Sequence, residues 1–341
     1  ILFLDIQVQP LLRHHLRTFF VHRTCAFTIL TFLLYYNIVK LKFAFLILFF
    51  LYIPIISHSS EKKIVATIKP IHSIVMNVVD NEEVFLLLDG NISPHDYHLK
   101  PSDMKKIKNA DVVFYVDDES IETFLHRALN TIDKPNKVSI FSNSRIKLLP
   151  IREGGIWEEE IAEDGHDHAH GEYDAHIWLS TDNVIRVTKQ IVKELSEITP
   201  SKKSIYKKNA MVFIKKLKDN KKEIALELES VKNEAYIVFH DAYQYFENEF
   251  KLNAAGSIAL NPEISPTPKR ISEIKSKIVN DNVKCVFKEP QFPSQIVETI
   301  TKDTQAKEGV LDPLGSELEP GKELYINLIK NISKNLKQCL S

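Results

Sequence analysis

Asp111-Val112-Val113-Phe114-Tyr115-Val116 is an apolar run without alternation. A strand with one wet face alternates. A continuous run fits a strand covered on both faces, as in a parallel sheet packed between helices. The flanks agree. Upstream, Pro101-Ser102-Asp103 opens a helix, with Ser102 expected as its cap and Lys105, Lys106 and Lys108 on its wet face. Downstream, Ile121–Leu129 has helical spacing, and Lys137–Phe141 reads as another strand. Towards the N-terminus, Lys63–Ile68 is a strand stopped at Lys69-Pro70, Ile71–Val79 a helix, and Glu83–Leu88 a strand. Strand and helix alternate at βαβ spacing, which predicts a parallel, doubly wound α/β sheet.

The other direction repeats the pattern after two interruptions. Glu153–Asp174 is acidic, lacks apolar periodicity and reads as a surface loop. Asp182 is expected to cap a helix through Leu195 that ends at Thr199-Pro200. From Ser201 to about Val231 the chain is Lys-rich, with no Gly and no Pro. Ile205, Met211, Ile214, Leu217, Ile224 and Leu228 fall near helical spacing. A helix of about thirty residues spans ~45 Å. That predicts a rod between two lobes; the alternative is a surface helix broken near Asp219-Asn220. Strands then follow at Ala235–Phe239, Leu252–Leu260, Val283–Phe287 and Gly309–Leu311. Helices are expected at Pro268–Ile278, Pro293–Thr301 and Glu323–Cys339. The expected organisation is a first lobe over 61–200, a linking helix over 201–231 and a second lobe over 232–341.

With 341 residues, 44% hydrophobic and 26% charged, the chain is long enough for two cores. A formal net charge of -1 gives no footprint for nucleic acid. The first 60 residues hold Arg13, Arg17, Arg23, Lys40 and Lys42 against Asp5 alone, so the remainder is net acidic. Lys40 and Lys42 precede an apolar run, Phe43–Ile56, then Ser57-His58-Ser59-Ser60. That is the layout of a cleavable secretory signal, with cleavage expected after Ser59. The run is short for a membrane anchor, which needs ~20 residues. The signal is expected to begin near Asn37, with an upstream extension before it. Cys25 lies in the part to be removed and lacks a lipobox. The exported part keeps Cys285 and Cys339, and an even pair in an oxidising compartment reads as a disulfide. Closing that loop is worth roughly 3–4.5 kcal/mol in the chain-entropy model.

Pro94-His95-Asp96-Tyr97-His98 follows the strand ending at Leu88 and the turn Asp89-Gly90-Asn91. A histidine beyond a strand's carboxyl end stands where α/β sheets bind ligands. His240 and Asp312 also follow predicted strand ends, and His176 precedes a helix. Each alone is an ordinary polar loop residue. Together, three imidazoles and a carboxylate match the donors Zn²⁺ prefers. Their wide spacing means that such a site is assembled by the fold. Between them, His166, His168 and His170 alternate among carboxylates and could gather zinc weakly.

Several stretches carry a resemblance. They are His95-Asp96-Tyr97 with Lys100-Pro101-Ser102-Asp103, His176-Ile177-Trp178-Leu179-Ser180 and Phe239-His240-Asp241-Ala242-Tyr243 with Tyr245-Phe246. Asn261-Pro262-Glu263, Glu289-Pro290-Gln291-Phe292 and Leu311-Asp312-Pro313-Leu314-Gly315 complete the set. In this order, over about 61–341, the chain resembles the periplasmic zinc-binding proteins of ABC importers, the metal-binding cluster A-I group. The resemblance implies two Rossmann-like lobes joined by a long backbone helix, with the metal in the cleft. It carries the ligand role onto His95, His176 and His240. Some relatives have an acid directly before the first histidine; here that position is Pro94, so the fourth ligand is Asp312 or a water. Manganese-binding relatives tend to have glutamate where His240 stands. The Cys285–Cys339 pair matches a disulfide among zinc-binding relatives. The resemblance further implies a periplasmic monomer that delivers Zn²⁺ to an inner-membrane permease and is not an enzyme. Alternatives are a manganese receptor or an adhesin of the same fold, or a zinc hydrolase or lyase working through a metal-bound hydroxide.

Overall fold

The computed structural model describes residues 32, 34–42, 62–133, 135–143, 145–152, 157, 172–259, 262 and 264–341. No helix among the described residues is long and apolar enough to cross a membrane. The apolar run and cleavage point of the expected signal peptide lie outside them, as do His166, His168 and His170.

Glu61–Ser341 is built on two parallel four-stranded sheets. The first holds β1 (Ile64–Ala66), β2 (Val84–Leu86), β3 (Val112–Tyr115) and β4 (Asn136–Ser139) in the order β2-β1-β3-β4. The second holds β5 (Tyr236–His240), β6 (Ala254–Ala259), β7 (Cys285–Lys288) and β8 (Lys307–Val310) in the order β6-β5-β7-β8. Ile64 lies opposite both Val84 and Val112, and Tyr236 opposite both Ala254 and Cys285. The apolar runs follow from position. β1 and β3 are the middle strands, and Ile64, Val65, Ala66, Val112, Val113 and Phe114 are fully buried. In both sheets the chain leaves one middle strand towards one edge and the other towards the opposite edge. Such a reversal opens a crevice at the strands' carboxyl ends.

The α-helices within Glu61–Ser341 are α1 (Lys69–Met76), α2 (Pro101–Asn109), α3 (Thr123–Asn130), α4 (Thr181–Ile198), α5 (Lys203–Leu228), α6 (Gln244–Phe250), α7 (Pro268–Asn280), α8 (Gln295–Thr301) and α9 (Leu324–Leu340). α5 runs 26 residues without a break at Asp219-Asn220, about 39 Å at ~1.5 Å per residue. Its buried seam is Tyr206, Ala210, Phe213, Leu217, Asn220, Ile224 and Leu228. Met211, expected inside, is 65% exposed. The seam is phased on the two large aromatics, Tyr206 and Phe213, which puts Ala210 inward. It packs on α4 and α9. One apolar core runs from the first sheet through this seam and α9 to Tyr236, Val238 and Phe287. A second core, including Ile237, Phe239, Ile258, Ile274, Val286 and Ile300, fills the other face of the second sheet.

Two expected caps are corrected. The N-cap of α2 is Lys100, not Ser102. Pro101 takes the first turn, where its missing N–H costs nothing, and the Asp103 carboxylate accepts the Lys100 N–H at 2.9 Å. Ser180, not Asp182, caps α4, its hydroxyl accepting the Asn183 N–H at 3.2 Å. Asp182 sits in the first turn, where the helix dipole favours an acid. α6 was not expected; seven residues are too few to show a helical period, and tertiary burial of Phe246 and Phe250 holds it. Cys285 on β7 is bonded to Cys339 on α9, with Cα atoms 6.1 Å apart, inside the usual span of a disulfide.

Candidate metal centre

His240 is the last residue of β5, a middle strand of its sheet, at the carboxyl end where the crevice opens. His95 stands in a short 3-10 turn, Pro94–Asp96, beyond β2. The Ser93 hydroxyl accepts the His95 backbone N–H at 3.2 Å. The chain beyond is pinned: the Tyr97 hydroxyl donates to Asp103 at 2.5 Å, and its ring meets Phe124 edge-on. His176 precedes the turn Ile177–Leu179 that leads into α4. Its ribbon is fixed by the Pro150–Tyr173 antiparallel bridge and the Asp174 N–H to the Leu149 carbonyl at 2.9 Å.

The fold brings these three histidines together. One ring nitrogen from each lies within 4.8 Å of the others, with His176 and His240 buried and His95 half-buried. The Nε2 atoms of His176 and His240 are 3.3 Å apart. Two ligands at ~2.05 Å in tetrahedral geometry are separated by about 3.3 Å. The pair thus already has the edge length of a zinc tetrahedron. The Trp178 ring lies tilted against His176, and Phe292 meets the His240 ring edge-on, giving the pocket apolar walls.

Both buried imidazoles are oriented from behind. His176 Nδ1 lies 2.8 Å from Asp174 Oδ1, which also accepts the His176 backbone N–H at 2.9 Å. His240 Nδ1 lies 2.8 Å from Glu289 Oε1. A carboxylate there accepts a hydrogen bond from Nδ1–H, which keeps the proton on Nδ1 and leaves Nε2 free to ligate. The electrostatics differ between the two. Burial drives His176 well below its usual range, and the charge of His240 adds to it. Burial pulls His240 down too, but the charge and hydrogen bond of Glu289 outweigh it, so its pKa is raised. Asp174 is pushed up to about 7 by burial, against the His176 N–H and the charge of Arg152.

Asp312 sits behind the pocket wall formed by Pro313 and Leu314. It follows β8, and its carboxylate accepts from Gln291 Nε2 (2.8 Å), Leu314 N (2.9 Å), Ser316 N (2.6 Å) and Ser316 Oγ (2.8 Å). Those bonds hold the turn through Pro313 and Gly315. It is not in the group of three histidines, nor does it line their pocket. Sequence alone assigns no ligand-backing role to Asp174 or Glu289. An acid two residues before a histidine was a signal for Asp174; Glu289 becomes a neighbour only because β7 pairs with β5.

The family model described as zinc-uptake complex component A, periplasmic (ZnuA), matches residues 64–339. The chain belongs to the ZnuA family. A Brucella suis protein named high-affinity zinc uptake system protein ZnuA is 41% identical over 306 residues, covering 82% of this chain and 91% of its own. The Yersinia pestis protein of the same name is 34% identical over 289 residues, covering 81% and 91%. A crystal structure of ZnuA superposes with a TM-score of 0.69 at 22% identity, covering 83% of this chain and all of its own, which speaks to the fold. Zn(II)-bound AdcA from Streptococcus pneumoniae superposes at 0.66 with 27% identity, over 82% of this chain and 58% of that one. ZnuA-family proteins are periplasmic receptors of zinc uptake systems rather than enzymes.

Proposed function

We propose that this protein captures Zn²⁺ in the periplasm through His95, His176 and His240 and hands it to the permease of an ABC importer. The observation that carries the reading is the 3.3 Å separation of two buried imidazole nitrogens, each backed by a carboxylate. An all-nitrogen donor set suits zinc better than manganese, which favours carboxylate oxygen. The fourth position goes to water, because four hydrogen bonds occupy the Asp312 carboxylate. The mature chain runs from about residue 60 as a monomer, with lobes over 61–200 and 232–341 and the linking helix over 201–231. Its permease sits in the inner membrane. His166, His168 and His170 raise local zinc without entering the tight site.

Metal analysis of protein purified without an affinity tag, followed by calorimetric titration with Zn²⁺ and Mn²⁺, tests the proposal. We expect one tight Zn²⁺ per chain, lost in His240→Ala. Tight Mn²⁺ binding with weak Zn²⁺ binding would overturn it.

A further inference from the structure

Arg152 lies on the ribbon that carries His176, beside the Pro150–Tyr173 bridge. Its guanidinium leaves that ribbon and reaches the β5–α6 corner that carries His240. Nε donates to Asp241 Oδ2 at 2.9 Å and Nη2 donates to Asp241 Oδ1. Nη1 donates to Glu247 Oε2 at 2.6 Å. Glu247 in turn accepts from the Tyr236 hydroxyl at 3.3 Å. The Trp157 ring lies 3.5 Å from the guanidinium. All three charged side chains are largely buried: Arg152 is 19% exposed, Asp241 11% and Glu247 5%.

Asp241 is the residue after His240, and the Ala242 N–H closes on the His240 carbonyl at 2.8 Å. Fixing the Asp241 side chain therefore fixes the turn from which the His240 ring projects. On the other side, the Asp174 carbonyl accepts from the Tyr245 hydroxyl at 2.7 Å, and Pro150 from Gln244 at 3.1 Å. These neutral bonds seat α6 on the ribbon. The Arg152 fork is the charged clamp across the same seam.

We infer that Arg152 is a positioning residue for zinc capture: by bridging Asp241 and Glu247 it sets the spacing of His176 and His240. The inference rests on the metal-site reading above. Without the guanidinium, two buried carboxylates face the ribbon uncompensated. The corner then draws back towards water, and the 3.3 Å edge between the two imidazoles is lost. A lysine keeps the charge but cannot bridge both acids in one plane.

The test measures the Zn²⁺ dissociation constant by competition with a fluorescent chelator, alongside thermal unfolding of the metal-free protein. The chains compared are wild type, Arg152→Gln, Arg152→Lys and the triple Arg152→Gln/Asp241→Asn/Glu247→Gln. We expect Arg152→Gln to bind at least tenfold more weakly and Arg152→Lys to fall between it and wild type. In the triple variant no charge is left unpaired, so the metal-free Tm recovers while affinity stays weak. Affinities within twofold of wild type in Arg152→Gln, or recovery of affinity in the triple, would assign Arg152 to stability alone and overturn the inference. Should Arg152→Gln not fold, Arg152→Lys decides it by the same criterion. Failure of wild type itself to bind Zn²⁺ tightly would refute the metal-site reading instead.

Discussion

Replacing Glu289 by Gln separates the two things this carboxylate does. Glutamine keeps an oxygen that can accept the His240 Nδ1 proton at the observed 2.8 Å, so the ring keeps its tautomer and direction. The negative charge beneath the ring is lost. Losing a group that backs a metal-ligating histidine typically costs ~10–100-fold in affinity, about 1.4–2.7 kcal/mol. The cost varies with pH. In wild type the charge of Glu289 holds the His240 pKa above its usual value. Zinc must displace that proton, and affinity climbs with pH until the raised pKa is passed. In the variant the charge is gone, the His240 pKa drops with burial, and the climb ends at lower pH. The variant is therefore weakest relative to wild type near pH 8, and the gap narrows towards pH 6. Chelator competition at half-unit steps, with proton release followed in weakly buffered solution, measures both quantities. A penalty that is the same at pH 6 and pH 8, or no penalty at pH 8, would refute the assignment of that charge to His240.

Asp312→Ala removes four hydrogen bonds from the turn after β8 and should cost about 1–3 kcal/mol of stability in urea titration, with zinc affinity within a few-fold of wild type; a hundredfold loss would make it a ligand. Reduction of Cys285–Cys339, which closes a separation of 54 residues, should lower unfolding free energy by about 4 kcal/mol in the chain-entropy model without changing tight-site stoichiometry. Gly309→Ala places a Cβ 2.4 Å from Phe287 Cε1 and 3.1 Å from Cys339 Sγ, and chemical denaturation should show a loss of about 1–3 kcal/mol. Deleting 158–171 should remove the weaker zinc ions seen in calorimetry and leave the tight one, since His176 lies beyond the deletion.

The parallel sheets were legible because their middle strands are covered twice, and Val112–Phe114 has no polar residue to mark a wet face. α5 was legible from what it lacks, Gly and Pro, and its second half was phased by Leu217, Ile224 and Leu228, but the phase of its first half was not legible. Apolar spacing ranks Met211 with Ile214, while the packed seam chose Tyr206, Ala210 and Phe213. Short α6 left no period, although it seats one ligand corner against the other. Among the site residues, His95, His176 and His240 stood out only as members of one set, metal donors in loops inside the motifs that carry the resemblance. Asp312 met the same criterion, yet donors of its own turn and Gln291 from the loop after β7 surround its oxygens. That distinction is made by local backbone direction, which spacing does not encode. Glu289 and Asp241 lie inside motifs that carry the resemblance, but their pairings, like those of Arg152, are made by strand order and by a cross-seam contact that spacing does not encode.

α9 has a consequence for how the chain is made. It packs against α1, α5 and β8, and the segment before it reaches back to the start of the first sheet. Ser73 donates to the Lys322 carbonyl, the Tyr325 N–H donates to Ser73, and the Lys69 ammonium is held by the Ser316 and Leu318 carbonyls. α1 packs early on β1 and β2, but one side of it lacks its neighbour until the last 17-residue helix has been synthesised. Local contacts alone cannot close the first sheet's core, and closure waits on contacts some 250 residues apart, which fold slowly. A polypeptide with that delay stays loose while it is being made, and becomes a finished receptor only after its tail has arrived.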